Sequence, residues 1–185
     1  MKLRTSLLVA AMALGGCTLA PQKLQLETTV SAPAASVIRT PLIVTVSDKR
    51  SVPVIGYRNA QNQGELTLEP ELNQVIGESL TKALSAAGVP MATSADGANT
   101  LQVEVNRLTY STPDEVWVTH IKIDAEFTVV VQRGNETFKK RFKANQATDV
   151  ALAPNDRFNA AAVSGVVSEL LNKIANDPET INFLK

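Results

Sequence analysis

The chain has 185 residues, enough for one domain of ordinary size, with 18 basic and 18 acidic side chains and a formal net charge of zero. That balance gives no reason to expect nucleic acid as a partner. With one histidine and one cysteine, the chain forms no disulfide of its own and lacks a second histidine or thiol from which to build a transition-metal site. The hydrophobic core must therefore hold the fold unaided.

Lys2 and Arg4 open the chain with positive charge, and an apolar run, Leu7 to Leu14, comes next. The run is shorter than the roughly 20 residues that span a bilayer, so it reads as the core of an export signal. Its end, Leu14-Gly15-Gly16-Cys17, places an aliphatic residue and two small residues before a cysteine. This resembles the lipobox of bacterial lipoproteins. The resemblance implies diacylglycerol on the Cys17 thiol, cleavage just before Cys17 and acylation of the new amino group, with no other cofactor. One lipid chain anchors only weakly, and a triacylated cysteine meets the need for more. Losing Lys2 and Arg4 with the signal leaves 18 − 2 = 16 basic against 18 acidic residues, a formal charge of −2. Thr18 stands where an aspartate commonly retains lipoproteins at the inner membrane, so by that analogy the outer membrane, facing the periplasm, is expected.

The chain divides into three regions: a signal peptide over 1–16, a lipidated cysteine and tether over 17–39, and one folded domain over 40–185. Pro21, Ser31, Pro33 and several alanines punctuate the tether, which reads either as a flexible spacer or as a short edge strand within 23–30 formed by Leu24, Leu26 and Val30. The β-branched run Leu42 to Val46 predicts a first strand. A loop from Ser47 to Leu68 carries Pro53, Gly56 and Gly64 as breakers. A helix starts near Glu69-Pro70-Glu71, where proline suits the first turn and acidic residues complement the helix dipole. Leu72, Val75, Ile76, Leu80, Ala83, Leu84 and Ala87 form its apolar stripe, Gly88 its left-handed cap, and Pro90 prevents its resumption.

Three strands come next. Leu101, Val103 and Val105 alternate with Gln102, Glu104 and Asn106. After a turn near Ser111 to Asp114, a long strand over about Val116 to Gln132 puts Trp117, Ile121, Ile123, Ala125, Phe127, Val129 and Val131 on a dry face. His120, Lys122, Asp124, Glu126 and Thr128 lie on the wet face. Gly134-Asn135 predicts a two-residue hairpin pairing Val131 with Phe138, Phe127 with Phe142, and Glu126 with Lys143. Lys140 then points inward opposite Val129, which marks its strand as an edge. A second helix covers about Asp156 to Ala175, N-capped by Asn155 or Asp156. Its apolar face is Ala160, Val163, Val166, Val167, Leu170, Leu171 and Ile174. Asp177-Pro178-Glu179 starts a short terminal helix. The order β-α-β-β-β-α predicts an α+β, two-layer domain, a mixed and mostly antiparallel sheet with two helices on one face. The first strand, first helix and second strand make a right-handed crossover.

Over most of the mature chain the pattern is similar to the YajG-type bacterial lipoproteins. The shared features are the lipobox at Cys17, the strand leading into Val46-Ser47-Asp48-Lys49-Arg50, Ile55-Gly56, the helix ending at Gly88, the alternating strand from Leu101, and the closing Asp177-Pro178 and Ile181-Asn182-Phe183-Leu184. The resemblance implies lipidation and an envelope location. It brings no catalytic residues, because the family has no assigned biochemical activity.

The residues themselves give little for catalysis. His120 is alone on a wet face, and no Gly-x-Ser-x-Gly elbow, phosphate loop or zinc-protease helix occurs. Asp124 and Glu126 share a strand face, but Lys122 and Lys143 make a charge ladder of them. Two surfaces remain as binding candidates. Asp48, Arg50, Tyr57 and Arg58 stand at the end of the first strand and in its loop, where Asp48 and Arg50 also read as a turn-stabilising pair. Lys139, Arg141 and Lys143 alternate on the last long strand, either facing anionic lipid or glycan or protecting an edge from aggregation. The expectation is a non-catalytic envelope lipoprotein, held to the membrane by its lipid anchor, that docks on another envelope protein. A lipid- or glycan-binding lipoprotein is the alternative, and an envelope hydrolase ranks last. No oligomeric state follows from the sequence.

Overall fold

In a computed structural model the described residues are 19–34, 38–94, 96–113, 119–150 and 154–185. The signal peptide, Cys17, Val116 and Trp117 lie outside them. The elements run β1 (Gln22–Gln25), β2 (Leu42–Asp48), β3 (Gly56–Tyr57), β4 (Glu65–Glu69), α1 (Leu72–Ala86), β5 (Asn99–Ser111), β6 (Thr119–Arg133), β7 (Glu136–Val150), α2 (Asp156–Ala175) and α3 (Pro178–Leu184).

All seven strands form one mixed sheet. Its spine is β5-β6-β7, antiparallel throughout. The long β5 is flanked twice on its other side. β2 lies parallel to its first half, and β3 meets its far end at Tyr110. β4 and then β1 extend the sheet from β3. The class is as expected, but the sheet is larger, because the presumed loop from Ser47 to Leu68 holds β3 and most of β4, and the tether contributes β1. In β4, Leu66 is fully buried between exposed Glu65 and half-buried Thr67.

The β6–β7 hairpin has the expected register: Val131 faces Phe138, Phe127 faces Phe142, Glu126 faces Lys143 and Val129 faces Lys140. Gly134 supplies the positive φ of 55° that its two-residue turn requires. Ile121, Ile123, Ala125, Phe127, Val129 and Val131 are all buried on the inner face. β7 is the sheet edge, and the inward Lys140 is neutralised there by Asp177 and Glu179 of the terminal helix.

β5 runs further than its simple alternation indicates. A bulge at Asn106, between Val105 and Arg107, shifts the pairing with β6. Beyond it the inward positions change parity, so Leu108 and Tyr110 join Val103 and Val105 in the core.

Both long helices cover the inner face. α1 packs on β2, with Val46 Cγ2 3.6 Å from where a side chain on Gly77 would begin. The acidic residues expected in the first turn of α1 precede it: Glu71 is the N-cap, makes no side-chain cap bond, and the first turn holds no acid. The helix ends in a Schellman motif, with Val89 N–H donating to Leu84 O at 3.1 Å, Gly88 N–H donating to Ser85 O at 2.9 Å, and Gly88 at φ 84°. α2 has the expected bounds, and Asn155 Oδ1 caps it by accepting from Phe158 N at 2.8 Å. Tyr110 Oη donates to Asn159 Oδ1 at 2.7 Å, and Asn159 Nδ2 donates to Gln22 at 2.9 Å, linking β5, α2 and β1 through a buried polar chain.

Residues 22–34, assigned to the tether from sequence, are packed on the domain. β1 is an edge strand at the other end of the sheet from β7, parallel to β4, with Leu24 and Leu26 buried. The chain then runs across the helices as a strap. Glu27 N–H donates to Ser164 Oγ at 3.1 Å, Thr29 N–H to Ser168 Oγ at 3.0 Å and Ser31 N–H to Asn172 Oδ1 at 2.9 Å. Thr28 Oγ1 meets Ser79 Oγ of α1 at 2.5 Å. The acceptors on α2 recur every four residues, the spacing of one helix face, and match the alternate N–H groups of an extended strap.

Candidate functional site

β2 delivers Asp48 at its C-terminal end, where Lys49 N–H still bonds Val105 O at 2.9 Å. The chain then turns, and Asp48 Oδ1 accepts from Arg50 N–H at 3.0 Å. The Arg50 guanidinium folds back on the same carboxylate, with Nε 3.0 Å from Oδ1 and Nη2 2.7 Å from Oδ2. Burial pushes the Asp48 carboxyl up, but the Arg50 fork, its N–H and its charge outweigh this and hold it below the ordinary 3.8. The turn-stabilising reading of Asp48 and Arg50 is therefore the one observed.

This pair forms one wall of a cleft of about 310 Å³. Ser51, Val52 and Pro53 continue that wall, and Thr67, Leu68 and the start of α1 at Glu71 to Asn73 form the other. Val52 is 56% exposed, the one large hydrophobic so exposed among the described residues. Arg50 Nη1 and Asn73 Oδ1 are buried without a hydrogen-bond partner. Sequence reasoning missed Val52 and the start of α1; a valine within a polar, proline-bearing turn was the available signal.

Tyr57 and Arg58 belong elsewhere. Tyr57 lines a second depression, of about 560 Å³, with Asn62, Tyr110, Thr112 and Lys122. Arg58 is built into the hairpin between β3 and β4. Its N–H bonds Gly64 O at 3.0 Å, its Nη1 donates to Ala20 O at 3.1 Å, and its stem packs on Gly64. Asn59 and Gln63 close the loop through two bonds of 2.9 Å. Gly56 is needed for close approach and not for an unusual backbone angle, because a Cβ there would lie 1.8 Å from Tyr110 O. The four candidates thus divide into two separate places.

Lys139, Arg141 and Lys143 stand on the outer face of β7 and are engaged by carboxylates. Lys139 meets Glu104 at 3.5 Å, while Arg141 and Lys143 meet Glu126 at 3.4 and 3.2 Å, with Arg107 adding a third cation at 3.3 Å. Burial raises the Glu126 carboxyl, and the Lys143 hydrogen bond with the charges of Arg141, Lys143 and Arg107 turns the balance, holding it low. Asp124 pairs with Lys122 at 3.3 Å. His120 faces Asp149 across the strands and bonds it through Nδ1. Both carboxylates are thus ion-paired, Asp124 with Lys122 and Glu126 with three cations, as a charge ladder requires. Among the described residues, no three histidine, cysteine, aspartate or glutamate side chains converge as a metal site. Among the same residues, no helix is long and apolar enough to cross a membrane.

Residues 28–185 match the model of a family described as uncharacterized lipoprotein. The chain belongs to this family. The match spans the strap from Thr28 onward, both clefts and the terminal helix, and it is consistent with the YajG-type resemblance. The family description assigns no catalytic activity. No curated protein matches the chain. Protein XCC0632 from Xanthomonas campestris is similar in structure, at TM-score 0.50 and 12% identity, covering 90% of this chain and 95% of its own. A minor lipoprotein from Acinetobacter baumannii is similar at TM-score 0.45 and 14% identity, covering 80% of this chain and 92% of its own. The first likeness shows a shared fold and nothing of function.

Proposed function

We propose that this envelope lipoprotein is a non-catalytic docking module, anchored through lipid on Cys17 in the outer membrane facing the periplasm, that grips a protein partner in the cleft at the end of β2. Val52 carries the reading. An exposed aliphatic side chain on the rim of a concave site supplies the apolar contact that anchors many interfaces. The Asp48–Arg50 clamp fixes the wall behind it, so little order is lost on binding. The orphaned Arg50 donor and Asn73 acceptor offer two hydrogen bonds to a partner's main-chain amide after small side-chain shifts.

The lipid- or glycan-binding alternative draws on Lys139, Arg141 and Lys143, and their engagement by Glu104 and Glu126 counts against it. Engagement of Glu126 by three cations counts in the same way against a hydrolase. The test is cross-linking in intact cells with the anchor present. Val52→Glu should fold and reach the membrane as wild type does, yet lose a discrete cross-linked protein. If that protein is retained by Val52→Glu and lost by a Lys139, Arg141 and Lys143 triple variant, the contact lies on the sheet and not in the cleft.

A further inference from the structure

The path of the chain into the domain fixes which end of the molecule lies nearest its anchor. Leu19 is the second residue after Cys17 and Ala20 the third, a reach of at most about 11 Å when fully extended. Ala20 is in place against the hairpin loop, its carbonyl accepting from Arg58 Nη1 at 3.1 Å and lying 3.1 Å from a Cβ built on Gly64. From Gln22 the chain is committed to β1, whose register with β4 carries it away from that loop. Bonds to Ser164, Ser168 and Asn172 then hold the strap from Glu27 to Ser31. No slack remains to lift the domain from its anchor without stripping a strand from the sheet.

We infer that the loop from Arg58 to Gly64, with the neighbouring ends of β5 and β6 at Thr112 and Lys122, is the face that rests on the lipid surface. This rests on the lipidation of Cys17. The loop suits such a position: residues 57–64 include one arginine and no carboxylate, so nothing in it repels anionic headgroups. Its backbone is tied by its own Asn59–Gln63 bonds. The opposite end is far off. β3 is level with Tyr110, which pairs with Ile123. The Gly134-Asn135 turn comes after Arg133, ten residues along β6, or about 33 Å at the usual strand rise. The same placement leaves the Val52 cleft outside this face, free for a partner.

The test uses the lipidated full chain in vesicles. Because Cys17 is the only cysteine and its thiol would be occupied by lipid, a fluorophore can be placed on Gln61→Cys or Asn135→Cys and quenched by headgroup-labelled lipid. Quenching should be several-fold stronger at 61 than at 135. Inserting a 20-residue Gly-Ser linker after Thr18, with a typical span of about 25 Å, should abolish the difference while flotation with vesicles persists. Equal quenching at both sites in protein that floats through its lipid would overturn the orientation and leave the anchor standing. Protein that carries no lipid would overturn both, and the mass of its N-terminal peptide reports that separately.

Discussion

Replacing Phe127 with alanine tests the sheet at its centre. Phe127 is fully buried on the inner face, between Val105 of β5 and Phe142 of β7. An aromatic ring of this kind covers about 200 Å², worth about 5 kcal/mol at roughly 25 cal/mol per Å². Alanine keeps part of that contact and leaves a cavity, so the expected cost is about 3–5 kcal/mol. With a urea dependence of about 2 kcal/mol per M, the unfolding midpoint should fall by about 2 M. Lys143→Ala, one position from Phe142 on the outer face, should leave the midpoint unchanged within error, because exposed ion pairs contribute little. Phe127→Leu should move the midpoint the same way by less, which keeps the comparison open if the alanine variant does not fold. A larger shift for Lys143→Ala than for Phe127→Ala would mean that the strand faces are inverted.

Asp48→Asn should flatten the acid limb of the stability curve. The Asp48 carboxyl lies below 3.8 in the folded protein, so its contribution is complete above about pH 4 and is lost as pH falls through the lower, folded value. Urea midpoints measured between pH 7 and pH 2 would reveal the change, and an unchanged acid limb would contradict the clamp. Asn172→Ala removes the bonds to Thr29 O at 2.8 Å and Ser31 N at 2.9 Å. Hydrogen exchange over 27–31 should accelerate while the β6–β7 core stays protected. Gly56→Ala sets a Cβ 1.8 Å from Tyr110 O, and thermal melting should show a loss large enough to deplete folded protein.

The elements with a clean period were legible. α2 combined a 3.6-residue stripe with Asn155 as cap, and the β6–β7 register came from matching apolar pairs, one charge pair and a two-residue turn. Even the inward Lys140 was readable, though its partners Asp177 and Glu179, 37 and 39 residues on, were not. β5 was cut short because the bulge at Asn106 reverses the alternation, and a strand that changes parity looks like a strand that ends. β3 and β4 are only two and five residues long and sit among glycine, proline, asparagine and glutamine. They form because β5 and β1 offer them edges, which is tertiary information. The strap was hidden for the same reason: its backbone N–H groups donate to Ser164, Ser168 and Asn172, more than 130 positions away in sequence. At the candidate site, the loop end of β2 was legible as a place. The division of its residues between a clamp with an exposed valine beside it and a separate hairpin was not, because it depends on which side chains turn inward.

The central claim is that the domain is tethered by lipid at Cys17, and mass spectrometry of the N-terminal peptide from membrane fractions tests it most directly. The account predicts a peptide beginning at Cys17, heavier by the glycerol-linked acyl chains and one amide-linked acyl chain, recovered with the outer membrane. Cys17→Ser should remove that mass and leave an uncleaved precursor or a detached domain. A wild-type peptide that begins at Met1, or one that begins near Cys17 without added mass, would contradict the account.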